Sequence, residues 1–479
     1  MREDSVEDVV ILSEQGLFAG AANRPGIIKQ IAHDHLEFEK MSLSSSKLDS
    51  DTLSNLEKAV SSSDNSDDQS EMSESWANNS KHIFIMSNAG KPIYSHHGSE
   101  ENLVTMYGIM QALISVVDSF SDKIQSITVG SHIFVFLIRN PLYLVGVSSL
   151  GMKTNQLEKQ LEYVYNFIVS TLTSTQLTRV FQRRNNFDLR SLLVGTERFM
   201  ASLIDYTDVD PGFLVNAVQC VPLSGSTRDL IGQTLQIDMK DLVFCIMSCD
   251  NKLIQFTRLR NYTLHPSDLH ILFNLISNTR VIDDNPIWMP ICLPGFDSSG
   301  YLHGLLSYLD PENRICLTLL SVNQDLFHPL LEAKQNVQAR LIKTGCISAI
   351  EHSLEKSYYS VVSTGLPHLR HFIYKRNALI QFTAPIFEVP YESKSEQQRL
   401  MRLYASLHSK LHHPVRPIKL IYKSLDSETF LAWMTSSFEL YCCFSPLVSK
   451  GGAIDNVNRL LRWIKKEENR LYILNSYTF

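Results

Sequence analysis

The chain has 479 residues, of which 44% are hydrophobic and 20% are charged. These values are ordinary for a globular protein, and the length suits about three domains. Residues 1–80 carry 16 Asp/Glu and 6 Lys/Arg, a net of −10, so the remainder carries 34 acids and 38 bases, a net of +4. A body this weakly basic excludes a dedicated nucleic-acid binder, although it tolerates an anionic membrane surface.

Most of the eight cysteines stand inside apolar runs, and no CxxC pair or cysteine–histidine cluster at zinc spacing occurs. We therefore expect buried free thiols in a reducing compartment, and no metal site. Cys245 and Cys249 share one face of a predicted strand, which favours core packing over a ligand pair.

Neither a secretory leader nor a membrane-spanning helix is predicted. The N-terminus, MREDSVEDVV, is acidic, unlike a signal peptide. The most apolar window, IFVFLIRNPLYLVGV, is interrupted by Arg139, Asn140 and Pro141, whereas a spanning helix needs about 20 apolar residues. We expect a soluble, cytoplasmic protein with peripheral membrane contact.

Residues 1–80 are predicted to be a disordered tail. They are rich in Ser, Asp and Glu and poor in aromatic residues, so they hold too little apolar surface to offset chain entropy. The apolar island DVVILSEQGLF within them is either a docking segment for a partner or simply part of the tail.

From residue 81 the pattern predicts two strands, a helix, three strands and a final helix. HIFIMSN and PIYSHH form a hairpin around NAGK, and SEENLVTMYGIMQALISVVDSF follows as a helix capped by Ser99. Leu103, Met106, Met110 and Leu113 share one face of this helix. SITVG, HIFVFLIR and LYLVGVSS are the next strands, and NQLEKQLEYVYNFIVSTL closes the copy.

The same order of elements recurs twice. The second copy has a hairpin turning at Asp250-Asn251, the helix HPSDLHILFNLISN, the strands MPICLP, YLHGLLSYLD and ICLTLLSVN, and the helix DLFHPLLEAKQNVQARLIK. The third has the strands HLRHFIYK and ALIQFTAP, the helix SEQQRLMRLYASLHSKLH, the strands KLIYKSL, FLAWMTS and LYCCFSP, and the helix AIDNVNRLLRWIKKEENRL. The copies share a pattern and not letters.

We therefore predict an α/β (α+β) chain of three domains, each a five-stranded antiparallel sheet with flanking helices. The first domain spans residues 81–187, and the second spans 188–345 with its own linking helices. The third spans 346–479. Two-layer units of this kind leave a sheet edge and a helix face free for pairing with another chain.

No covalent chemistry is predicted. The sequence contains no GxxxxGK[ST], GxGxxG, GxSxG or HExxH motif, so no catalytic residue or cofactor is assigned. A metal-independent hydrolase built from Ser95, His96 and Glu100 is disfavoured, because adjacent strand residues point to opposite faces. A polar loop at the start of a helix is the preferred interpretation.

With the three copies laid out, the chain resembles the SAND family of vacuolar-fusion (monensin-sensitivity) proteins. The resemblance runs from residue 81 to the C-terminus and is carried by KHIFIMSNAGKPIYSHHGSEE, VFQRRNNFDLRSLLVGTERF, LHPSDLHILFNLI, WMPICLPGF, GLPHLRHFIYK and LLRWIKKEENRLYIL. It implies three longin domains, in agreement with the repeated pattern.

The resemblance also implies partners. The chain would form a heterodimer with a second three-longin subunit, and in animals a third scaffold subunit would join. The complex would be the guanine-nucleotide exchange factor of the late-endosomal Rab GTPase, recruited by the early-endosomal Rab. It would drive endosome and phagosome maturation and lysosome fusion. The main alternative is a non-catalytic longin-type scaffold or adaptor in vesicle trafficking.

We place the exchange surface on the first domain, as a hypothesis. One face of helix 100–120 would pack on its own sheet and another on the partner's first domain; a wholly intramolecular core helix is the alternative. The residues near its start that could touch a GTPase switch region are Lys91, Tyr94, Ser95, Gly98, Ser99, Glu100 and Glu101.

Two further surfaces are assigned as hypotheses. Trp288 follows the polar run NTRVIDDNPI and is either a core residue or an anchor for the recruiting GTPase. A set of basic residues either faces an anionic or phosphoinositide membrane or is ordinary solvated surface: Arg183, Arg184, Arg370, Lys375, Arg376, Lys465 and Lys466.

Overall fold

The computed structural model describes residues 79–479 apart from 99–102, 185–186, 261, 280–285, 311–314, 356–358, 476 and 479. The predicted tail, residues 1–80, lies outside the described residues except for its last two. The described chain divides into a smaller unit, residues 79–151, and a larger unit, residues 152–479.

The smaller unit contains the five antiparallel strands and the first helix of the predicted copy, whereas the helix predicted to close that copy belongs to the larger unit. Its strands lie in the order β2-β1-β5-β4-β3. Alternating side chains of the sheet, among them Phe84, Phe134 and Val145, pack with Met106 and Met110 of the helix. The elements are β1 (Lys81–Ser87), β2 (Pro92–His96), α1 (Val104–Ser119), β3 (Ser126–Val129), β4 (His132–Arg139) and β5 (Leu142–Ser148).

Six helices and one short strand open the larger unit and precede its first full sheet. Four of these helices lie within residues 188–240, the linking stretch in which the sequence predicts helices. The elements are α2 (Thr154–Leu172), α3 (Ser174–Arg183), α4 (Arg190–Leu193), α5 (Glu197–Thr207), α6 (Pro211–Val215), β6 (Val218–Gln219) and α7 (Gly225–Thr234).

The second sheet follows the predicted pattern. Its hairpin turns at Asp250 and Asn251, which both adopt positive φ angles, 45° and 62°, as a tight two-residue turn requires. One apolar cluster lies on each face of the sheet. The elements are β7 (Leu242–Cys249), β8 (Lys252–Arg258), α8 (Pro266–Asn278), β9 (Ile287–Leu293), β10 (Asp297–Asp310), β11 (Ile315–Ser321), α9 (Phe327–Lys343) and α10 (Cys346–Glu355).

The third sheet repeats the arrangement. Tyr404 and Leu400 of its first helix pack with Phe430 and Tyr441 of the strands. The elements are β12 (Leu369–Arg376), β13 (Gln381–Thr383), α11 (Lys394–Leu411), β14 (Leu420–Ser424), β15 (Thr429–Met434), β16 (Phe438–Phe444), α12 (Lys450–Lys466), α13 (Glu468–Leu471) and β17 (Tyr477–Thr478).

The second and third sheets each contain six strands, not the predicted five, because they exchange short strands. β6, which precedes the second sheet in the chain, pairs in parallel with β13 at the edge of the third. β17, which follows the third sheet, pairs in parallel with β8 at the edge of the second. Two-residue strands carry no periodic signal, so the sequence pattern could not reveal them.

The helix that begins at residue 346 packs with the second sheet. Cys346, Ile347 and Ile350 of α10 belong to one of the two apolar clusters of the second sheet, although the third domain is predicted to begin at residue 346. The cysteine prediction is confirmed, since all eight thiols are buried and free. Among the described helices, none combines the length and apolar character needed to cross a bilayer.

Candidate functional site

The turn between β1 and β2 is held by hydrogen bonds across the turn and by one from α1. Ser87 N–H donates to the Lys91 carbonyl at 2.9 Å, and Lys91 N–H donates to Ser87 Oγ at 3.1 Å. Gln111 of α1 donates its amide to the Asn88 carbonyl at 3.1 Å. Gly90, at φ +77°, leaves space for that side chain, since a Cβ there would lie 3.2 Å from Gln111 Cγ. The turn carrying Lys91 is therefore fixed to the helix.

The end of β2 presents the other predicted residues. Tyr107 of α1 donates its hydroxyl to the Tyr94 carbonyl at 2.9 Å, and Tyr94 Oη lies 3.2 Å from His96 Nδ1. Ser95 Oγ donates to the Gly98 carbonyl at 2.8 Å and so closes the following turn. The serine hydroxyl is thus used in a turn, while the buried His96 contacts Tyr94, and the hydrolase arrangement of Ser95 with His96 is not formed.

The structure brings Lys91, Tyr94, Ser95 and Gly98 together on one hairpin beside α1. Lys91, Tyr94 and Ser95 are half-buried and Gly98 is exposed. Ser99, Glu100 and Glu101, and with them the predicted helix cap, lie outside the described residues. The role of these seven residues in contacting a GTPase stays a prediction.

Helix α1 has a buried face and an exposed face of very different character. The predicted core residues Met106, Met110 and Leu113 are buried, as is Tyr107. Eight exposed residues from the helix and its C-cap are uncharged and mostly small: Val104, Thr105, Gly108, Ala112, Ser115, Val116, Ser119 and Phe120. Asp118 is the one charged residue among the exposed positions of α1. A solvated helix normally carries several charges on its outer face.

Phe120 is 67% exposed and Val104 61% exposed, at opposite ends of this uncharged face. Gly108 and Ala112 lie between these two residues, and their small size leaves the helix backbone accessible. A Cβ added at Gly108 would meet no atom within 4 Å. Such a surface suits close approach of another helix or sheet more than contact with water. Sequence reasoning placed a partner on this helix but did not identify which residues form the face.

Trp288 lies on β9, the edge strand of the second sheet. Its ring is half-buried, stacks on His303 with centroids 5.8 Å apart, and meets Phe327 edge-on at 5.9 Å. It also packs against an apolar cluster of the same sheet. Both interpretations of Trp288 therefore keep a physical basis, since one part of the ring is core and the other is accessible.

The predicted membrane-facing basic residues differ in their surroundings. Lys375 is 16% exposed and its ammonium lies 2.8 Å from Glu439 Oε1, and Arg376 forms an ion pair with Glu468. Arg370 donates to the Ser427 carbonyl at 2.8 Å. Lys465 and Lys466 are exposed in the last turn of α12, where positive charge also complements the helix dipole. Arg183 and Arg184 are exposed as well, so these two pairs are the accessible members of the predicted set.

Comparison with known families accounts for the three sheets. Family models described as the first, second and third longin domains of FUZ, MON1 and HPS1 match residues 81–203, 240–339 and 368–468. The three matches follow in the order predicted from the repeated pattern, and the prediction of three longin domains is confirmed.

Several curated proteins are similar over most of the chain. Vacuolar fusion protein MON1 homolog A of Bos taurus is 42% identical over 413 residues, 86% of this chain and 74% of the relative. Protein SAND of Takifugu rubripes is 43% identical over 408 residues, 85% of this chain and 78% of the relative. MON1 homolog B of Homo sapiens is 40% identical over 421 residues, 84% of this chain and 77% of the relative. This chain therefore belongs to the family of SAND and MON1 vacuolar fusion proteins.

Proposed function

We propose that this chain is one subunit of a heterodimeric guanine-nucleotide exchange factor that activates the late-endosomal Rab GTPase. Its partner would be a second three-longin subunit, paired through the first longin domains. The exposed, uncharged face of α1 is the observation that carries the proposal. Membership of the vacuolar fusion family supports a role in membrane trafficking.

Exchange requires differential binding and no covalent step. A small GTPase holds its nucleotide with a free energy of roughly 16 kcal/mol at picomolar affinity. A protein that binds the nucleotide-free form more tightly than the loaded form must, by linkage, weaken nucleotide binding by the same factor. Steep acceleration therefore needs several kcal/mol of differential contact. A single longin domain offers little surface for this, so we assign the site to two paired domains.

The hairpin beside α1 supplies the groups suited to contact a switch segment. Lys91 directly precedes β2 and Tyr94 is its middle residue, and hydrogen bonds from Gln111 and Tyr107 fix the backbone of this hairpin to α1. Groups held rigidly lose little entropy when they bind, so they favour one conformation of a flexible switch over others. The same helix would thus join the partner on its exposed face and position the hairpin at its edge.

The direct test is release of a fluorescent guanine nucleotide from the late-endosomal Rab by the purified heterodimer. We expect release to accelerate with heterodimer concentration and to fall when Lys91→Glu and Tyr94→Ala are combined. An assembled heterodimer that leaves release unchanged would exclude exchange activity and leave a scaffold or adaptor role. Release that persists in the double variant would move the site away from the hairpin.

Recruitment is proposed for other surfaces. Trp288 on the second sheet would contact the early-endosomal Rab, and Lys465 and Lys466 would add attraction to an anionic or phosphoinositide membrane, about 1 kcal/mol each. A third scaffold subunit would join the same complex. These contacts would concentrate the exchange factor on endosome, phagosome and lysosome membranes. Flotation with liposomes that contain or lack anionic lipid separates the lipid contribution from the GTPase contribution.

A further inference from the structure

A cavity of about 290 Å³ with a mixed apolar and polar lining lies within the larger unit. Helices α2 and α11 and strands β12 and β16 contribute to its walls. Its charged and titratable lining includes Lys159, Lys375, His408, His412 and Glu439. The proposed function uses none of these groups in the cavity.

Three of these side chains converge on one point. His408 and His412 are four residues apart on one face of α11 and its C-cap, and their rings stack with centroids 4.1 Å apart. Glu439 of β16 approaches from the sheet, with Oε2 3.0 Å from His412 Nε2. One ligand atom from each residue lies within 4.8 Å of the other two. A filled tetrahedral zinc site places its donor atoms about 3.3 Å apart, so a small side-chain movement would complete it.

The protonation states of His408 and Glu439 suit metal binding. His408 is 9% exposed, and neither of its ring nitrogens has a hydrogen-bond partner within the described parts of the chain. Burial, reinforced by the charges of Lys159 and His412, holds the pKa of His408 well below its ordinary value, so the ring is neutral. Burial alone would raise the pKa of Glu439, but hydrogen bonds from His412 and Lys375 outweigh it and lower that pKa to about 2.

We propose that His408, His412 and Glu439 form a binding site for a zinc ion. Two imidazoles and one carboxylate are a donor set that Zn²⁺ prefers, and the cavity provides room for a fourth ligand such as water. Zinc bound between His412 Nε2 and Glu439 Oε2 would replace the hydrogen bond that joins these two atoms, and the displaced proton would pass to solvent. The Lys375 ammonium donates to the other carboxylate oxygen, and the Tyr441 hydroxyl lies 3.2 Å from Oε2, so both contacts orient Glu439.

Two lysines in the cavity disfavour metal binding by electrostatic repulsion, and this effect provides a second test of the proposal. Lys159 and Lys375 line the same cavity, and each adds a positive charge that repels a cation. Lys375 is already neutralised by Glu439, whereas no ion pair of Lys159 occurs among the described residues. Removing the Lys159 charge is therefore expected to tighten zinc binding.

The test is titration of the full chain with zinc against a chromophoric chelator, together with metal analysis after dialysis. We expect one zinc ion per chain, and a Co²⁺-loaded form with the visible absorption of tetrahedral cobalt. His412→Asn should weaken binding about 100-fold or more, since changes to residues that only orient a metal ligand already cost roughly 10–100-fold. The matched control His413→Asn changes the neighbouring exposed histidine and should bind as the unmodified chain does. Lys159→Met should bind more tightly.

Two results would overturn the site. Equal zinc affinity in the His412→Asn and His413→Asn chains would assign the metal to surface histidines, and no retained zinc with no cobalt absorption would leave the triad as an ion-pair network. Circular dichroism of each variant confirms that it folds. Should His412→Asn fail to fold, the Lys159→Met chain still decides, because unchanged affinity there would contradict a metal bound in the cavity.

Discussion

Gln381 and Ile473 exchange two hydrogen bonds across the larger unit. The Gln381 amide donates to the Ile473 carbonyl at 3.2 Å, and Ile473 N–H donates to Gln381 Oε1 at 2.9 Å. Both residues are buried, and Cys220 Sγ also donates to Gln381 Oε1 at 3.3 Å. One side chain on β13 thus satisfies the backbone of the segment that leads to β17, next to the segment that contains β6. The pair lies where the two sheets exchange strands.

Replacing Gln381 by Met should destabilise the larger unit by about 2 kcal/mol or more, because two buried backbone groups of Ile473 lose their partners. Urea unfolding followed by intrinsic fluorescence measures this loss. Gln335→Met, at an exposed position of α9, is the matched control and should change little. Equal midpoints for the two variants would mean that water replaces the lost bonds.

Replacing Ala112 by Glu should prevent assembly with the second three-longin subunit. The substitution places a charge at the centre of the uncharged face of α1, and an unpaired buried charge costs about 3–5 kcal/mol. Co-purification and light scattering of the two subunits measure assembly, and nucleotide release should fall with it.

The control for this variant is Ala339→Glu. Ala339 is also an exposed alanine within a helix, α9, so the change in helix propensity and net charge is the same. We expect the Ala339→Glu chain to assemble normally. Normal assembly of the Ala112→Glu chain would instead identify α1 as an ordinary solvated helix.

Replacing Trp288 by Ala should weaken binding of the GTP-loaded early-endosomal Rab by about tenfold or more, while nucleotide release in solution stays unchanged. The ring also packs on His303 and Phe327, so a loss of stability accompanies the change. Phe296→Ala removes another partly buried ring from the same sheet and separates the two effects. If both variants lose Rab binding equally, the tryptophan acts through the fold.

Stability should fall between neutral pH and pH 5 partly because of His270. Burial lowers the pKa of His270 to about 4, despite the opposing charge of Asp210. The unfolded chain takes up a proton near pH 6.5 and the folded chain does so only near pH 4. Between these values the unfolded state binds more protons, so stability present above pH 6.5 declines as the pH falls.

The His270 contribution is about 2 kcal/mol between pH 7 and pH 5. Unfolding midpoints at the two pH values should therefore differ less in a His270→Gln chain than in the unmodified chain. Asp268, on the same helix, acts in the opposite sense, because burial raises its pKa to about 6. Keeping Asp268 in both chains cancels its effect in the comparison. An undiminished pH dependence in the variant would assign the acid sensitivity elsewhere.

Local sequence patterns were sufficient to predict most of the secondary structure of the fold. The alternation in HIFIMSN and the Asp250-Asn251 turn predicted hairpins that the structure contains, and the helical spacing of Met106, Met110 and Leu113 predicted the buried face of α1. These features depend on residues close in sequence, where side-chain periodicity and turn chemistry decide the conformation. Three repeats of one order then predicted three sheets.

Features that depend on residues distant in sequence were not predictable. Val218 pairs with Gln381, and His412 meets Glu439, only because the chain folds over long separations. A pair of histidines four apart on a helix was visible in SLHSKLHH, but nothing local indicated which strand would face it. The candidate exchange surface was placed on the first domain through family resemblance, since an uncharged helix face has no unique sequence pattern.

The reciprocal insertion of β6 and β17 has a genetic consequence. A frameshift or premature stop codon that removes Tyr477 and Thr478 would also uncover an edge of the second sheet, whose other strands are encoded much earlier. Likewise, a fragment that begins after residue 220 would leave the third sheet without its outer strand. Loss of either short strand should therefore impair a sheet whose other strands lie far away in the sequence.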